Sequence, residues 1–573
     1  MPSRFRRRGH ASFIENWGAI LAITALAFLL RAIQTRSGLP YIHNWDEPQI
    51  ASHAIQILKT GDWNPHFFSY GSLLIYIDTI VDALNYLRLA GLPTKYSESM
   101  MALDAPAMIS RLTAPVDPSK GWYWTISHPS FYLWDRTVTA VFGALTVFSA
   151  FLLSAKIMPR RWAWLSAILL AILPIHVEHS AYVTSDAPVA LLVVVVTYSA
   201  ILFAERGNFS AILVSLVFVG LAAATKYNSF LIIVAPALAL TIRSLTQEKP
   251  PSSWYWLLLV GVPPLAFLIA MPYALFDFKT FITDLALDIT SYHAGGPPEA
   301  TPGLRHIRMV IRQFGENLGF SSSLLALFGF AALARFVRRD WAPIFLLLYP
   351  VLFVAYMSST SVDHHRNFIQ LYPFIATFFA FGAFMAWRLA SLIGSRLNRR
   401  LAQNVARGVS IALIATAILP PAYASLSTAW TTLHTVETRT AAARTMARIA
   451  DGRDIIVADE LRMHPFDLSA LARPYSLAPV DAMIAELCAD KAPNRDFMLP
   501  ARIEYTGFNP ATEAQTAALG RLNATLQSLR GQPGVVSVGG DVAIPTFAPA
   551  VDPGVLLVTA RPGLCGQTGG QAP

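Results

Sequence analysis

Apolar runs of membrane-spanning length recur along the first three quarters of the chain, at about 18–34, 136–156, 162–178, 185–204, 209–225, 228–243, 254–272, 321–336, 341–358, 367–389 and 408–428. They predict about eleven helices, several short enough to be tilted, broken or partly re-entrant. The stretch from Phe67 to Leu89 is only moderately apolar and carries Asp78 and Asp82, which predicts a helix lying in the interface rather than crossing it. Beyond residue 430 the pattern changes. A helix around Glu437 to Ala450, a strand Asp454 to Val457, and strands Val535 to Val538 and Val555 to Thr559 between Gly and Pro turns read as a small α/β domain. The expected organisation is a polytopic α-helical membrane part over 1–429 and an α/β domain over 430–573.

Composition agrees with this: of 573 residues, 54% are hydrophobic and 14% charged, too apolar for a soluble protein. The formal charge of +9 sits in short basic clusters between apolar runs, which speaks for cytoplasmic membrane flanks and against nucleic-acid binding. Lys156, Arg160 and Arg161, then Arg206, Arg243, Lys249, Arg335, Arg338, Arg339, Arg388, Arg396, Arg399, Arg400 and Arg407 all fall on the side of the basic N-terminus. The N-terminus is therefore expected inside, and an odd number of spans puts the C-terminal domain outside. Arg4, Arg6, Arg7 and Arg8 precede the first span, and no convincing small-residue cleavage site follows it, so an uncleaved first helix is expected. The chain reads as a multi-pass protein of a bacterial inner (cell) membrane. Its two cysteines, Cys488 and Cys565, both lie in the C-terminal domain; there a disulfide and two free thiols are equally compatible with the sequence.

Three outer segments are long enough to carry chemistry. The first, about 35–135, holds Asp46 and Glu47 in Asn44-Trp45-Asp46-Glu47-Pro48 and an aromatic cluster at Trp122, Tyr123 and Trp124. A helix starts at the acidic pair, and capping would account for one carboxylate; beside Tyr41 and Trp45 at the lipid–water boundary, a carboxylate is also placed to take a proton from an acceptor hydroxyl. The second segment, about 273–320, contains His293-Ala294-Gly295-Gly296-Pro297-Pro298, which reads as a flexible lid. The third is the C-terminal domain.

Further titratable residues gather at the outer ends of spans. Asp186 opens the fourth span after His176, Glu178 and His179, and charged groups at membrane level are costly and usually functional. The spacing of His176 and His179 matches no strong zinc pattern, so no metal site is expected, although a divalent ion is not excluded. Lys226 ends the fifth span, where it suits a phosphate or pyrophosphate of a lipid carrier, or else snorkels to the interface. Asp363-His364-His365-Arg366-Asn367 opens the tenth span, with Arg366 able to bind phosphate bidentately and His365 a candidate donor. Arg305, His306, Arg308 and Arg312 form a basic group suited to anionic lipid. No Walker loop, dinucleotide fingerprint, Gly-x-Ser-x-Gly elbow or Cys-x-x-Cys pair occurs, so no soluble nucleotide or other cofactor is expected.

Several runs together resemble a known class. Trp45-Asp46-Glu47-Pro48, Gly61-Asp62-Trp63-Asn64-Pro65, Phe68-Ser69-Tyr70-Gly71-Ser72-Leu73, His128-Pro129-Ser130-Phe131-Tyr132, Asp135-Arg136, Thr184-Ser185-Asp186-Ala187-Pro188, Thr225-Lys226 and Arg366 to Pro373 resemble, in order and spacing, the GT-C membrane glycosyltransferases of the protein O-mannosyltransferase and lipid A aminoarabinose transferase type, glycosyltransferase families 39 and 83. The resemblance covers about residues 15–390 and implies a GT-C fold of about eleven helices. It implies inverting transfer of a sugar from a polyprenyl-phosphate donor to a lipid, glycan or protein acceptor at the outer face. It maps the catalytic carboxylate onto Asp46, with Glu47 beside it and Asp186 as a second acidic site. It maps the donor-phosphate cations onto Lys226 and Arg366, with His365 next to them, and puts Trp45, Tyr70 and His128 in the acceptor and donor loops. The chain departs from the class where Phe68-Ser69-Tyr70-Gly71 replaces a tyrosine-proline-proline element, and in an apparent insertion between Leu89 and Trp122.

Two other functions are compatible with the same residues. A transporter or lipid flippase would use Asp46, Asp186 and Lys226 for protons or headgroups, but predicts inverted repeats that the sequence lacks. A non-catalytic anchor for a partner-binding C-terminal domain would not need so many helices.

Overall fold

The computed structural model describes residues 13–44, 46–90, 128–246, 251–294, 297–337, 340–396, 400–450, 452–489, 494–505, 511–545 and 552–565. Trp45, the aromatic cluster at Trp122, Tyr123 and Trp124, and Gly295 and Gly296 of the expected lid lie outside the described residues. The chain divides into two compact units. One comprises Met1–Thr35, Ile50–Leu89 and Tyr132–Leu433; the other comprises Arg36–Gln49, Ala90–Phe131 and His434–Pro573. A boundary near residue 430 was expected. The sequence pattern did not indicate that Arg36–Gln49, four hundred residues upstream, folds with the C-terminal chain.

The described secondary-structure elements of the membrane unit are all helices. In chain order it runs α1 Phe13–Gln34, α2 Glu47–Thr60, α3 Ser72–Ala90, α4 Ser130–Ser154, α5 Arg160–Ile172, α6 Pro174–His179, α7 Asp186–Arg206, α8 Phe209–Thr225, α9 Val234–Thr246, α10 Trp254–Ala270, α11 Tyr273–Phe276, α12 Phe278–His293, α13 Leu304–Leu318, α14 Phe320–Phe336, α15 Ala342–Met357, α16 Tyr372–Arg396 and α17 Arg400–His434. Six described segments are long and apolar enough to cross a membrane, and four shorter apolar helices accompany them. The run expected at 162–178 is broken into α5 and α6 at Pro174. Proline has no N–H to continue the helix ladder, and it is at home in a first turn. In α3, Asp78 and Asp82 are buried while Ile80, Leu84 and Leu87 are exposed, so its carboxylates point into the protein and its apolar face points out.

In lipid, every polar group must find its partner inside the protein, and the helices are tied together by such groups. Arg31 of α1 is fully buried and donates to the carbonyls of Ala27 at 2.8 Å, Leu170 at 3.0 Å and Ala171 at 3.1 Å, and to His176 Nδ1 at 2.7 Å. One guanidinium thereby fastens α1 to the α5–α6 break. The Ser154 hydroxyl of α4 meets Ser166 of α5 at 2.8 Å and Thr377 of α16 at 2.9 Å, the hydroxyl contact that joins helices where no hydrophobic force separates protein from lipid. Helices α14 and α16 touch backbone to backbone through Gly329 and Gly382: a Cβ on Gly329 would overlap the Phe378 carbonyl, and one on Gly382 the Leu325 carbonyl.

The second unit is the expected α/β domain. Its described elements are α18 Thr438–Ile449, β1 Asp454–Ala458, α19 Pro465–Ala470, β2 Tyr475–Ala478, α20 Val480–Cys488, β3 Arg495–Pro500, β4 Ile503–Glu504, α21 Glu513–Leu529, β5 Val535–Val538, β6 Ile544–Pro545 and β7 Val555–Thr559. The main sheet has the order β2-β1-β3-β7-β5, with β1 parallel to β2 and β3, and β7 antiparallel to β3 and β5. β1, β3 and β7 read as nearly continuous apolar runs because their residues are buried on both faces. Cys488, at the end of α20, is disulfide-bonded to Cys565 beyond β7.

The glycine contact gives a stability test. Gly382→Leu should cost about 1–3 kcal/mol through overpacking and lower the melting temperature in detergent, whereas Gly261→Leu on α10, with nothing within 4 Å of its Cβ position, should leave it unchanged.

Candidate functional site

Three chain breaks in the membrane unit meet at one lysine. Helix α8 ends at Thr225, and Lys226 turns extended with φ −153° before a 3-10 turn, Tyr227–Ile233. Asp186 opens α7, where the positive end of the helix dipole favours a carboxylate. A second 3-10 turn, His365–Leu371, presents Asn367 ahead of α16. The Lys226 ammonium donates to Asp186 Oδ1 at 2.6 Å and to Asn367 Oδ1 at 2.9 Å. Their side chains are 12% and 4% exposed for the lysine and the aspartate, so the pair is screened little by water. An ammonium has three N–H donors. Two are engaged among the described residues.

The loop before α3 and helix α12 border this lysine. Tyr227 donates its hydroxyl to the Phe68 carbonyl at 2.7 Å, and the Phe68 N–H donates to Asp284 of α12 at 2.7 Å. Asn64 donates to Asp277 at 2.9 Å and holds its carboxyl below the usual carboxylate range. Gly71 explains the departure from tyrosine-proline-proline: a Cβ there would overlap the Ala224 carbonyl at the end of α8. Tyr70 thereby comes within electrostatic reach of Asp186, Asp288 and Tyr292. Asp288 and Tyr292 of α12 in turn act on Lys226. Burial pushes the Asp288 carboxyl up to about 6, against the lowering pull of Lys226.

Of the residues expected from sequence, Asp186, Lys226, His365 and Tyr70 are thus brought together, with His179 also within reach of Asp186, Lys226 and His365. Asp186, expected as a second acidic catalytic residue, is found as the ion-pair partner of Lys226. His365 Nδ1 lies 3.1 Å from Asn317 Nδ2, and Arg366 follows it, half-buried. His176 is engaged by Arg31 through Nδ1, and no group of three His, Cys, Asp or Glu that could hold a metal is found among the described residues. In the expected basic group, His306 is buried with Nε2 donating to the Val362 carbonyl at 2.7 Å, and Arg312 pairs with Glu299 at 2.7 Å.

The acidic pair belongs to the other unit. Glu47 starts α2 and is buried; Asp46 precedes it, its N–H bonded to Asn44 Oδ1 at 2.9 Å and its carbonyl to the Gln49 N–H at 3.0 Å. His128 Nδ1 lies 2.6 Å from the Ser130 hydroxyl at the start of α4. Sequence reasoning missed Asn367, Asp288 and Tyr292. Asn367 stood in the quoted run beside Arg366 but has no charge to draw notice. Asp288 lies on a helix whose outward positions Leu287 and Ile289 are exposed, and only its inward side marks it.

The raised Asp288 carboxyl fixes the sign of a pH effect. Its contribution to stability is complete below about pH 4 and is lost as pH rises through about 6. Asp288→Asn should therefore melt higher than the unsubstituted protein at pH 7.5, with the gap closing by pH 4 in a detergent thermal scan.

Residues 135–276, running from α4 into α11, match the family model described as dolichyl-phosphate-mannose-protein mannosyltransferase. No curated protein sequence matches the chain. Among solved structures, the chain is similar to ArnT from Cupriavidus metallidurans in the apo state, with TM-score 0.47, 12% identity, and 97% of this chain and 99% of that one covered. It is similar to the oligosaccharyltransferase of Archaeoglobus fulgidus, with TM-score 0.44, 13% identity and coverages of 86% and 70%. Over 52% of its length it is similar to the S. cerevisiae protein O-mannosyltransferase Pmt1-Pmt2 complex, at TM-score 0.29, 18% identity and 37% of that chain. The family likeness therefore extends over residues 135–276 of the chain.

Proposed function

We infer that the chain moves a sugar from a polyprenyl-phosphate-linked donor to a lipid, glycan or protein acceptor at the outer membrane face, with inversion at the anomeric carbon. The observation that carries this reading is Lys226, held at a helix end by Asp186 and Asn367. The description of the matching family, which names a sugar carried on dolichyl phosphate, supports the same donor class.

The chemistry follows from these groups. Asp46 takes the proton of an acceptor hydroxyl; the acceptor oxygen attacks the anomeric carbon as the bond to the phosphate oxygen breaks, and the phosphate leaves with that electron pair. Its charge grows as it departs. Lys226 and Arg366 oppose that charge, and His365, steadied by Asn317, can donate to the same oxygens. Asp186, 2.6 Å from the ammonium, fixes it in place. Glu47 lies beside the base, and Tyr70, His128 and Trp45 contact the sugar or acceptor. No cofactor enters this displacement. The disulfide between Cys488 and Cys565 fits an oxidising compartment outside the cytoplasm, in keeping with a multi-pass protein of a bacterial inner membrane whose N-terminus is cytoplasmic.

The test is transfer of labelled sugar from polyprenyl-phosphate donors in membranes bearing the unsubstituted protein or Asp46→Asn, both checked for monodispersity after extraction. Label should move to an acceptor with the unsubstituted protein, and kcat should fall about 10²–10⁴-fold with Asp46→Asn. Equal transfer by both would remove Asp46 as the base, and label crossing the bilayer without transfer would favour a transporter.

A further inference from the structure

Within the second unit, Arg36–Gln49 folds with the C-terminal chain, and the side chain of Tyr41 is one of its ties. Tyr41 is buried. Its hydroxyl donates to Asp467 Oδ2 at 2.5 Å and accepts the His464 N–H at 3.1 Å, both on residues more than four hundred positions later. The guanidinium of Arg439 lies over the Tyr41 ring, 3.7 Å from its centroid. That arginine is itself fixed: its Nε donates to Glu437 Oε1 at 2.7 Å, and it lies on the first turn of α18, which the Glu437 carboxylate caps by accepting from the Arg439 and Thr440 N–H groups. Thr440 adds its hydroxyl to Asp467 Oδ2 at 3.0 Å.

Such a network is expensive to assemble. Arg439 and Glu437 are 1% and 3% exposed, and burying an ion pair repays its desolvation only if the geometry is good and the remaining polar atoms are satisfied. An aromatic residue there for packing alone would need neither the hydroxyl nor the cation. Asp46 lies five residues beyond Tyr41. A chain of that length reaches at most about 17 Å, so an anchored Tyr41 confines the carboxylate that follows it.

We propose that the C-terminal domain is a clamp for the loop that bears Asp46 and Glu47, and that Tyr41, seated between Arg439 and Asp467, is the positioning residue through which the clamp acts. The proposal rests on Asp46 being the base. It assigns the α/β domain a part in catalysis without contact with the reacting atoms: it holds the base where the acceptor hydroxyl arrives. Positional errors of about 1 Å at a reacting group cost about 10²-fold in rate.

The experiment compares Tyr41→Ala, Tyr41→Phe, Asp467→Asn and Asp46→Asn in the full-length protein, reading kcat, donor KM and the number of polyprenyl-phosphate binding sites per chain. Tyr41→Ala should lower kcat about 10–100-fold with donor KM and binding stoichiometry unchanged, since the phosphate is held by Lys226. Tyr41→Phe, which keeps the ring under Arg439, should recover part of the loss. Asp467→Asn should resemble Tyr41→Phe, and adding it to Tyr41→Phe should cost less than the sum of the two. Unchanged kcat in Tyr41→Ala, with Asp46→Asn inactive, would overturn the clamp and leave the base in place. A fall in binding stoichiometry that parallels the fall in kcat would show a folding role and overturn it as well. Full activity of Asp46→Asn would overturn the base and the clamp together.

Discussion

A lysine ammonium 2.6 Å from a buried carboxylate is the interaction on which the arrangement of the membrane unit turns. Neither charge could stand alone among apolar helices, where an unpaired ion costs several kcal/mol. Each therefore dictates where the other's helix must begin or end. Asp186 sits at the start of α7, Lys226 just past the end of α8, and Asn367 on the turn before α16. Those three termini must converge. The loop of Phe68 to Gly71 and helix α12 then close over the point of convergence through Tyr227, Asp284 and the bare backbone of Gly71.

The same constraint operates deeper in the unit. Arg31 fastens α1 to the α5–α6 break through three carbonyls and His176. A break in a helix frees carbonyls that lipid cannot satisfy, and a guanidinium in the neighbouring helix supplies donors in a fixed fork. Gly329 and Gly382 do the complementary work, letting α14 and α16 approach so closely that dispersion contacts replace the hydrophobic drive that lipid does not provide. The interior thus combines a few obligatory polar ties with close backbone contact.

The two units differ in how far their sequences revealed them. The apolar runs beyond Trp17 are found helical, the one at 162–178 with a break before Pro174, because membrane-spanning length and composition are local properties. The strands Asp454 to Val457 and Val555 to Thr559 were legible for the same reason. The acidic starts at Glu47 and Asp186 were also visible, as residues that favour helix N-termini. Interactions joining distant residues were not legible. Nothing near Tyr41 signals Asp467 or Arg439, and nothing near Arg31 signals His176; the partners are set by tertiary folding. Asp186 shows the limit most clearly. Its sequence marks it as functional, yet only the fold reveals that it is a partner for Lys226.

Binding of a polyprenyl phosphate to the protein in lipid nanodiscs, compared between the unsubstituted chain and Lys226→Met, tests the assignment of this lysine most directly. Loss of one charge-assisted contact worth about 1.5–3 kcal/mol should weaken binding about 10–150-fold, with the helical content unchanged. Equal affinity in the two proteins would contradict the account and leave the Lys226–Asp186 pair as a structural tie alone.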